Sequence, residues 1–514
     1  MVVYATITGK TQRIMKERNG RTYVYERTPY YDPIIKNTKY RYRYIGKYVD
    51  GKVTTVRSVL PRASIVYGPF IPMLDIVKEC GIKRLLDKYL TEDESNAILS
   101  LAIAKVVRPL PLRSIGSWYE GTYLSKAFPA DMSSQRVSEL LDKIGASFLY
   151  RDFSTDLIDE WKPSGSLFYD LTTIPSYSIA PIFEYGHAKD HPGLEEINFS
   201  LVLEKKRRIP ISFEIYPGSV PDVVTLQRMI EFLSELMDNV LIILDRAFFT
   251  LHNISLLQKT KFIVAASLQR REVKTAFSKA YRSVDRADNV LLYQDRTIFC
   301  QPVHMKIEDV DMDGFFYHDP ERESHERTDF HRNLAQRRES IEKLEVRRGV
   351  RRTIEGTAGD YLRYITYRIG NGGITTGARN KAISAHENRM GRFILVSNAG
   401  LSALECLSIY RERDSIEKAF RSLKTDLDVF PLREHKESTV KGMLFVFFLS
   451  MIIRSILLRA MGSSKLSRKY SIESMLIELE KLHMIEDQAG SLREIERTRK
   501  QKDILDALSS ISWW

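Results

Sequence analysis

The sequence predicts a mixed α/β protein in which a sheet is flanked by helices. Three observations indicate this class. Between about residues 165 and 270, apolar segments of strand length alternate with segments of helical periodicity. Residues 70–150 are predicted to be helical, because 71–90 and 134–144 have apolar residues at helix spacing. Near the N-terminus, basic and aromatic residues alternate with a period of two, which is typical of a strand.

Length and composition limit the class of protein. The chain has 514 residues, of which 43% are apolar, so it is long enough for two to four domains. Its formal net charge of +12 favours a polyanionic partner, with nucleic acid as the first candidate. Cys80, Cys300 and Cys406 are far apart, which argues against a disulfide framework or a cysteine zinc site and fits a reducing intracellular compartment.

Two segments bear on targeting. The first ten residues lack the long apolar core of a signal peptide. Residues 443–453 are nearly all apolar, but they are about half the length of a membrane span and Arg454 follows them. We therefore predict a buried core helix at this position.

The N-terminal residues carry most of the excess charge. Residues 1–60 contain thirteen Lys and Arg against four Asp and Glu, which accounts for nine of the twelve net charges. Lys39, Arg41 and Arg43 alternate with tyrosines, and Asp50 and Gly51 supply a hairpin turn. This pattern predicts a strand with tyrosines on one face and positive charge, available for DNA, on the other. The alternative is a small sheet that packs its tyrosines inward and leaves Lys and Arg solvated.

The predicted core is a series of strands and helices. The strands are 166–174, 197–203, 209–215, 240–244 and 262–266, and the helices are about 223–237 and 251–259. The fully apolar run 240–244 is typical of a strand buried on both faces. Three antiparallel strands followed by alternating helices and strands is the order of the ribonuclease H fold.

Two acids are placed where such a sheet would bind a ligand. Asp170 lies within an apolar strand pattern, where a carboxylate is costly to bury without a partner. Asp245 directly follows the apolar run 241–244. Ligands of open α/β sheets bind at the ends of strands. Either acid taken alone is explained equally well as a structural Asp that bonds to nearby backbone groups.

A predicted long helix, about 403–424, distinguishes these interpretations. Tyr410, Arg413, Glu417 and Lys424 are spaced by three, four and seven residues, so at about 100° per residue they fall within an arc of roughly 60°. An apolar stripe runs beside them at Ile409, Ile416, Phe420, Leu423 and Leu427. The helix is expected to bury that stripe and to present the four polar residues along one rim.

These residues resemble a known family. Tyr410, Arg413, Glu417 and Lys424 resemble the Y-R-E-K signature of the DDE transposases of prokaryotic insertion sequences. Residues 169–173 (YDLTT) and 244–248 (LDRAF) are similar to the two Asp motifs of that family. Residues 186–190 (GHAKD) are similar to a G-x-x-[KR]-D stretch that precedes the second strand. The resemblance covers about residues 160–460, and the N-terminal region before residue 70 matches no DNA-reading motif.

The resemblance implies metal-dependent DNA cleavage and strand transfer. Asp170 is expected to bridge two Mg²⁺ ions, for which Mn²⁺ can substitute, while Asp245 and Glu417 each hold one. Water then frees a 3′-hydroxyl at the transposon end, and this hydroxyl attacks target DNA in the same site. Whether a DNA hairpin forms between these steps stays open.

The resemblance also implies partners and further site residues. Arg413 and Lys424 are expected to contact phosphates beside the scissile bond, with Arg246 as a further DNA contact. Tyr410 is expected to hold a flipped-out base. The partners are double-stranded DNA, as terminal inverted repeats and target, and a second copy of the chain in a homodimer on DNA. No membrane association is expected, and the location is cytoplasmic and nucleoid-associated.

The predicted organisation has six segments. They are a basic β region (1–65), a helical domain (66–160), the first part of the core (161–269), a β-rich insertion (270–390), the second part of the core (391–460) and a C-terminal helical tail (461–514). The insertion contains strand-like pieces at 290–293 and 361–367 and a charged helical stretch at 320–347, which is either a solvated helix or a DNA-facing surface.

Three other functions are compatible with parts of this pattern. A nuclease of the same fold, such as a junction resolvase, would share the metal site and the acids but needs no Y-R-E-K rim. A repurposed transposase that only binds DNA would be expected to have lost acids, and all three are present. A hydrolase of other substrates with paired carboxylates does not account for the basic N-terminal region.

Overall fold

The computed structural model describes residues 11–18, 20–32, 36–49, 51–55, 61–178, 180–185, 194–370, 372–421, 435–487 and 490–509. The chain divides into two compact units. One combines the N-terminal residues up to Gly68 with Ile477–Gln501, and the other extends from Pro69 to Leu476 and resumes at Lys502. Strands and helices are labelled below in chain order.

The first unit contains two antiparallel sheets. One has four consecutive strands, β1 (Gln12–Arg18), β2 (Arg21–Asp32), β3 (Asn37–Val49) and β4 (Lys52–Thr55). The other is formed by β5 (Pro61–Val66), β17 (His483–Asp487) and β18 (Leu492–Glu494). Val49 pairs with Lys52, and Gly51 between them has φ +79°, so the predicted hairpin turn is confirmed.

The predicted C-terminal helical tail is therefore only partly helical. In sequence, helices α17 (Ile472–Glu480) and α18 (Arg499–Ser509) precede and follow β17 and β18. The strands form here because β17 pairs with β5, which comes from the opposite end of the chain. A pairing over that separation leaves no signal in the local periodicity.

The second unit begins with seven helices. They are α1 (Phe70–Glu79), α2 (Ile82–Leu86), α3 (Glu92–Val107), α4 (Leu112–Glu120), α5 (Leu124–Ala127), α6 (Ser134–Ala146) and α7 (Leu149–Trp161). The predicted helix 71–90 is thus two helices, because Gly81 adopts a left-handed conformation with φ +68° that ends the first one. The prediction for 134–144 is confirmed by α6.

The apolar helix α16 (Glu437–Ser463) packs against this layer. It is long and apolar enough to span a membrane, but 83% of an apolar stretch of 18 residues within it is buried inside the protein. This burial fits the predicted core helix. Glycines allow a close crossing with α6, because a Cβ at Gly442 would lie 2.0 Å from the carbonyl oxygen of Leu141.

A nine-stranded mixed sheet forms the centre of the second unit. Five of its strands are β6 (Ser166–Ser176), β7 (Glu195–Glu204), β8 (Ile209–Pro217), β9 (Leu241–Leu244) and β10 (Lys261–Ala265). Strands β6, β7 and β8 are antiparallel neighbours, while β9 runs parallel to both β6 and β10. Helices α8 (Asp222–Leu236) and α9 (Leu251–Leu257) connect β8 to β9 and β9 to β10. All five predicted strands and both helices are confirmed, with small shifts at their ends.

The predicted β-rich insertion is wrong as a description of residues 270–390. Its first part contains α10 (Arg271–Tyr281) and three strands that extend the central sheet, β11 (Val290–Tyr293), β12 (Arg296–Ile307) and β13 (Val310–His318). Strand β13 pairs with β16 (Arg392–Ser397), which pairs with β10. The full order is β11-β12-β13-β16-β10-β9-β6-β7-β8.

The second part of this region is mostly helical. It contains α11 (Pro320–Glu342), α12 (Val350–Ala358), the ribbon of β14 (Ile365–Gly370) and β15 (Gly373–Ala378), and α13 (Asn380–Glu387). The predicted strand 361–367 begins only at Ile365, because Gly359–Tyr364 is a 3₁₀ helix. A small core that includes Phe330, Ile354 and Ile374 holds these elements together.

The predicted long helix 403–424 is interrupted. Helix α14 (Ala403–Arg411) ends one turn before α15 (Asp414–Arg421) begins. At the junction, Arg413 N–H donates to the carbonyl of Tyr410, and Ile416 N–H donates to the carbonyl of Arg413. Each of these bonds spans three residues, as in a 3₁₀ turn, instead of the four of an α-helix. The prediction of a single continuous helix is therefore wrong, although Tyr410, Arg413 and Glu417 still lie together.

Candidate active site

Two neighbouring parallel strands bring the first two acids together. Asp170 lies in the middle of β6, and Asp245 directly follows β9. Phe168 pairs with Ile243, so continuing this register places Asp170 beside Asp245. On the opposite face of β6, the buried Tyr169 donates to Thr225 Oγ1 at 3.0 Å. Because side chains alternate along a strand, this anchor directs Asp170 to the other face.

The third acid arrives on helix α15, which packs against β6. Ile416 and Phe420 are buried, and this apolar side leaves Glu417 exposed. The predicted triad thus comes from a strand, a strand end and a helix. In sequence, its members are separated by 75 and 172 positions.

A single guanidinium group joins the three carboxylates. Arg413 Nη2 lies 2.5 Å from Glu417 Oε1 and 3.6 Å from Asp245 Oδ1, and Arg413 Nη1 lies 3.9 Å from Asp170 Oδ2. The Arg413 side chain is only 15% exposed. One positive charge therefore faces three acids, and when these are ionised the cluster has a surplus of negative charge.

Asp170 is the most buried of the three acids, with 18% of its side chain exposed. Burial raises its pKa from 3.8 to about 6, because the carboxylate loses water. The N–H of Leu171 donates to Asp170 Oδ1 at 2.9 Å and, with Arg413, acts in the opposite direction. The negative charges of Asp245 and Glu417 add to the increase.

Arg413 is held as a cation at the centre of this cluster. Burial acts to lower its pKa, but Tyr410 and the three acids outweigh burial and raise it. Its Cζ lies 5.7 Å from the centre of the Tyr410 ring. Burial also raises the pKa of the Tyr410 hydroxyl, so this group stays a neutral donor at physiological pH.

A cavity of about 290 Å³ opens beside Asp245. Tyr410, Arg413 and Arg246, three of the residues predicted to contact DNA, line it. Arg322, at the start of α11, also lines it and was missed by the sequence analysis. The only available signal was its position in the charged stretch 320–347, where nothing separates it from solvated arginines. The cavity combines three guanidinium groups with two aromatic rings, those of Tyr410 and Phe393, which suits phosphate and base.

The donor set suits a hard divalent cation, which prefers carboxylate oxygens. Within the described residues, no three Asp, Glu, His or Cys side chains are grouped closely enough to hold one ion. This agrees with the distances, because the guanidinium of Arg413 lies between the acids. The residues fit the predicted ions in chemistry and charge, provided that Arg413 moves aside.

The three predicted DNA-contacting residues of the N-terminal sheet share one face, and other cations lie on the opposite face. Lys39, Arg41 and Arg43 alternate along β3 as expected, and Lys39 forms an ion pair with Asp32 at 2.8 Å. The intervening Tyr40, Tyr42 and Tyr44 are 40–48% exposed, so they are not packed inward. Their face also carries positive charge, because Arg27 and Lys16 lie over the rings of Tyr40 and Tyr42 at 4.4 and 4.1 Å.

Two predicted features lie outside the described residues. These are Lys424 and the segment 186–190. Of the four residues of the predicted Y-R-E-K signature, the structure therefore describes Tyr410, Arg413 and Glu417.

The residues of this site lie within a region that matches a known family. The family described as transposase DDE domain matches residues 167–453, which is more than half of the chain. No match was found among curated proteins. One similar solved structure is the cryo-EM structure of a piggyBac transposase synaptic complex with hairpin DNA. It is 12% identical, covers 81% of this chain and 80% of that chain, and has a TM-score of 0.36. On the strength of the domain match, which includes both strand acids and Glu417, this chain belongs to the family of DDE transposases.

Proposed function

We propose that this transposase cleaves DNA at transposon ends and transfers the freed strand to target DNA by two-metal-ion chemistry at Asp170, Asp245 and Glu417. One observation carries the proposal. Three acids from distant parts of the chain converge on one cation, Arg413. A solvated surface cluster would not require one of its carboxylates to lie within an apolar strand with only 18% of its side chain exposed.

The three carboxylates would hold two Mg²⁺ ions, or Mn²⁺ in their place. Such ions activate a water or a 3′-hydroxyl as nucleophile and stabilise the leaving oxygen. The acids supply hard oxygen ligands, and their surplus negative charge favours two divalent ions over one guanidinium. Asp170 must be ionised to serve as a ligand, so its raised pKa favours binding at neutral rather than acidic pH.

Arg413 has a second role in this proposal. In the absence of metal and DNA it offsets part of the charge of the acids. When the acids have other cations, its guanidinium is available to a DNA phosphate beside the scissile bond, with which it can form two parallel bonds. Arg246 and Arg322, across the adjoining cavity, are placed for neighbouring phosphates, and Tyr410 for an unstacked terminal base.

The order of strands in the sheet supports a ribonuclease H-like core. Strands β8, β7, β6, β9 and β10 are adjacent in that order, with the first three antiparallel and the rest parallel. We also propose that the chain is of the prokaryotic insertion-sequence type with a Y-R-E-K signature. Its partners would be terminal inverted repeats, target DNA and a second copy of the chain, in the cytoplasm at the nucleoid.

The deciding experiment uses a labelled duplex that carries the terminal sequence of the element. Wild type, Asp170→Ala and Glu417→Gln are compared with Mg²⁺, with Mn²⁺ and with EDTA. We expect nicking at the element boundary only by wild type and only with metal. Glu339→Gln, which removes an exposed acid that pairs with Lys343 on α11, is the control and should cut normally.

DNA binding is measured in parallel so that loss of cleavage is not confused with loss of binding. Glu417→Gln should bind the terminal duplex as wild type does and fail to cut it. Cutting at the wild-type rate by Glu417→Gln would remove Glu417 from the site. Binding without cleavage by wild type under every metal tested would favour the DNA-binding, non-catalytic function.

A further inference from the structure

A larger cavity lies on the other side of helix α15 from the triad. Its volume is about 660 Å³, which is within the range of roughly 300–1,000 Å³ typical of small-molecule sites. Asp414, Ser415 and Lys418 of α15 line it, whereas Glu417 points to Arg413. Helix α16 and the turn between β7 and β8 complete the wall. The cavity is therefore distinct from the site that holds the three acids.

The walls of this cavity carry a surplus of positive charge. Five cationic and two acidic side chains line it: Arg208, Arg411, Lys418, Arg454 and Arg459, with Glu412 and Asp414. Both acids already have lysine partners, since Asp414 lies 2.5 Å from Lys418 and Glu412 lies 3.4 Å from Lys205. Both lining acids are therefore paired with lysines, while Arg411 pairs with Asp319 and Arg454 with Glu473, two acids outside the lining.

Several of these cations are partly or fully removed from water. Arg454 is 7% exposed and donates to Glu473 at 2.8 Å. Arg459 is half-buried, and burial together with the like charge of Arg207 lowers the pKa of its guanidinium. No acid among the described residues forms an ion pair with the exposed Arg208. An anion in the cavity would be attracted by Arg208 and by the other cations of the lining.

The rest of the lining is apolar. Met451, Leu458 and Ala419 supply aliphatic surface, and Leu458 is 48% exposed. Tyr293 adds an aromatic ring, with Arg411 over it at 4.9 Å. This composition suits a ligand that has both a charged group and a planar apolar part.

We propose that this cavity binds a nucleoside phosphate, with the phosphate at the arginine wall and the base against the apolar lining. Two sources share this chemistry, namely a free mononucleotide and a nucleotide within a DNA strand. Because the ligand would contact both α15 and α16, it would stabilise the position of α15, which carries Glu417, on the side away from the triad. The inference does not depend on cleavage, since binding in the cavity requires neither metal nor the three acids.

The test is a calorimetric titration of the full-length protein with dAMP in EDTA at constant ionic strength. Deoxyadenosine and inorganic phosphate are titrated separately. We expect saturable binding of dAMP with one site per chain and at least about tenfold weaker binding of deoxyadenosine, because the nucleoside lacks the charge-assisted bonds. Absence of saturable dAMP binding to wild type would overturn the proposal.

Variants locate the site. Arg208→Ser and Leu458→Glu change exposed positions in the lining, so both are expected to fold, and each should weaken dAMP binding about tenfold or more. The control is Arg332→Ser, an exposed arginine on α11 that pairs with Asp329 and should leave binding unchanged. Equal affinity of wild type and both lining variants would place dAMP elsewhere, including at the cavity beside Asp245, and would refute the proposal.

A competition experiment separates the two sources. If a short single-stranded oligonucleotide displaces dAMP and Arg208→Ser weakens both, the natural ligand is a DNA strand. If the oligonucleotide binds without displacing dAMP, the ligand is a free nucleotide. Either result supports the cavity, and neither depends on whether the protein cuts DNA. Failure of the cleavage assay therefore leaves this inference standing, and failure of the titration leaves the cleavage proposal standing.

Discussion

Replacement of Asp170 by Asn is expected to stabilise the metal-free protein while it abolishes cleavage. The pKa of Asp170 is raised from 3.8 to about 6, chiefly by burial. At about 1.4 kcal/mol for each factor of ten in the proton equilibrium, the ionised carboxylate costs the folded state about 3 kcal/mol. An asparagine has nearly the same shape, carries no charge and can still accept the N–H of Leu171.

The direction of the pH dependence follows from the raised pKa. Above about pH 6 the carboxylate is ionised in the folded and the unfolded chain, so wild type carries the full cost. As the pH falls from about 6 towards 3.8, the folded state takes up a proton first and the cost disappears. The free energy of unfolding of Asp170→Asn should therefore exceed that of wild type by up to about 3 kcal/mol at pH 8 and by much less near pH 4.

The assay is urea denaturation followed by circular dichroism in EDTA, at pH 8 and near pH 4. Asp245→Asn is the control. It removes a more exposed acid of the same cluster, with 39% of its side chain exposed, and should have a smaller effect. An Asp170→Asn variant that is no more stable than wild type at pH 8, or a difference that does not change with pH, would refute the argument. Added Mn²⁺ should stabilise wild type but not Asp170→Asn.

Three further outcomes are expected. The affinity of wild type for Mn²⁺, measured by calorimetry, should fall as the pH decreases through about 6, because Asp170 then takes up a proton; constant affinity from pH 8 to pH 5 would contradict its role as a ligand. The double change Arg41→Ala and Arg43→Ala should reduce the salt dependence of DNA binding, and an unchanged slope would exclude β3 from the interface. Gly442→Ala should lower the free energy of unfolding in urea by roughly 1–3 kcal/mol, because its Cβ would overlap a backbone carbonyl of α6. Gly462→Ala in the same helix is the control and should not lower it, because a Cβ there meets no atom within 4 Å.

Local patterns predicted the strands of the core because each is a short apolar run bounded by polar residues. The segment 290–293 was predicted at the position that the structure shows. Pairing was not predictable in the same way. Strand β13 joins the sheet through β16, which follows only after the whole segment from α11 to α13, and no feature of either strand specifies its neighbour. The same limit applies to β17, whose partner β5 lies near the other end of the chain.

The break between α14 and α15 shows another limit. Neither Gly nor Pro occurs between Ala403 and Arg421, so helix periodicity continues through the junction. The structure places the turn between Arg411 and Arg413, whose side chains contact different acids. Arg411 bonds to Asp319, and Arg413 turns into the acid cluster. The interruption is therefore a product of tertiary ion pairs, which local periodicity does not report.

The acids were recognisable from the sequence for the same physical reason that makes them suited to their proposed role. Charged side chains usually lie at the surface, so a carboxylate within the apolar strand β6 is an exception. That exception is the signal that singles out Asp170. In the fold, the same violation appears as a raised pKa and as three acids gathered around one guanidinium. A strand under selection for stability alone would replace this acid with an apolar or amide residue. Its presence beside Asp245 and Glu417 is explained when the cost of the charge is offset by cations that the folded chain itself does not provide.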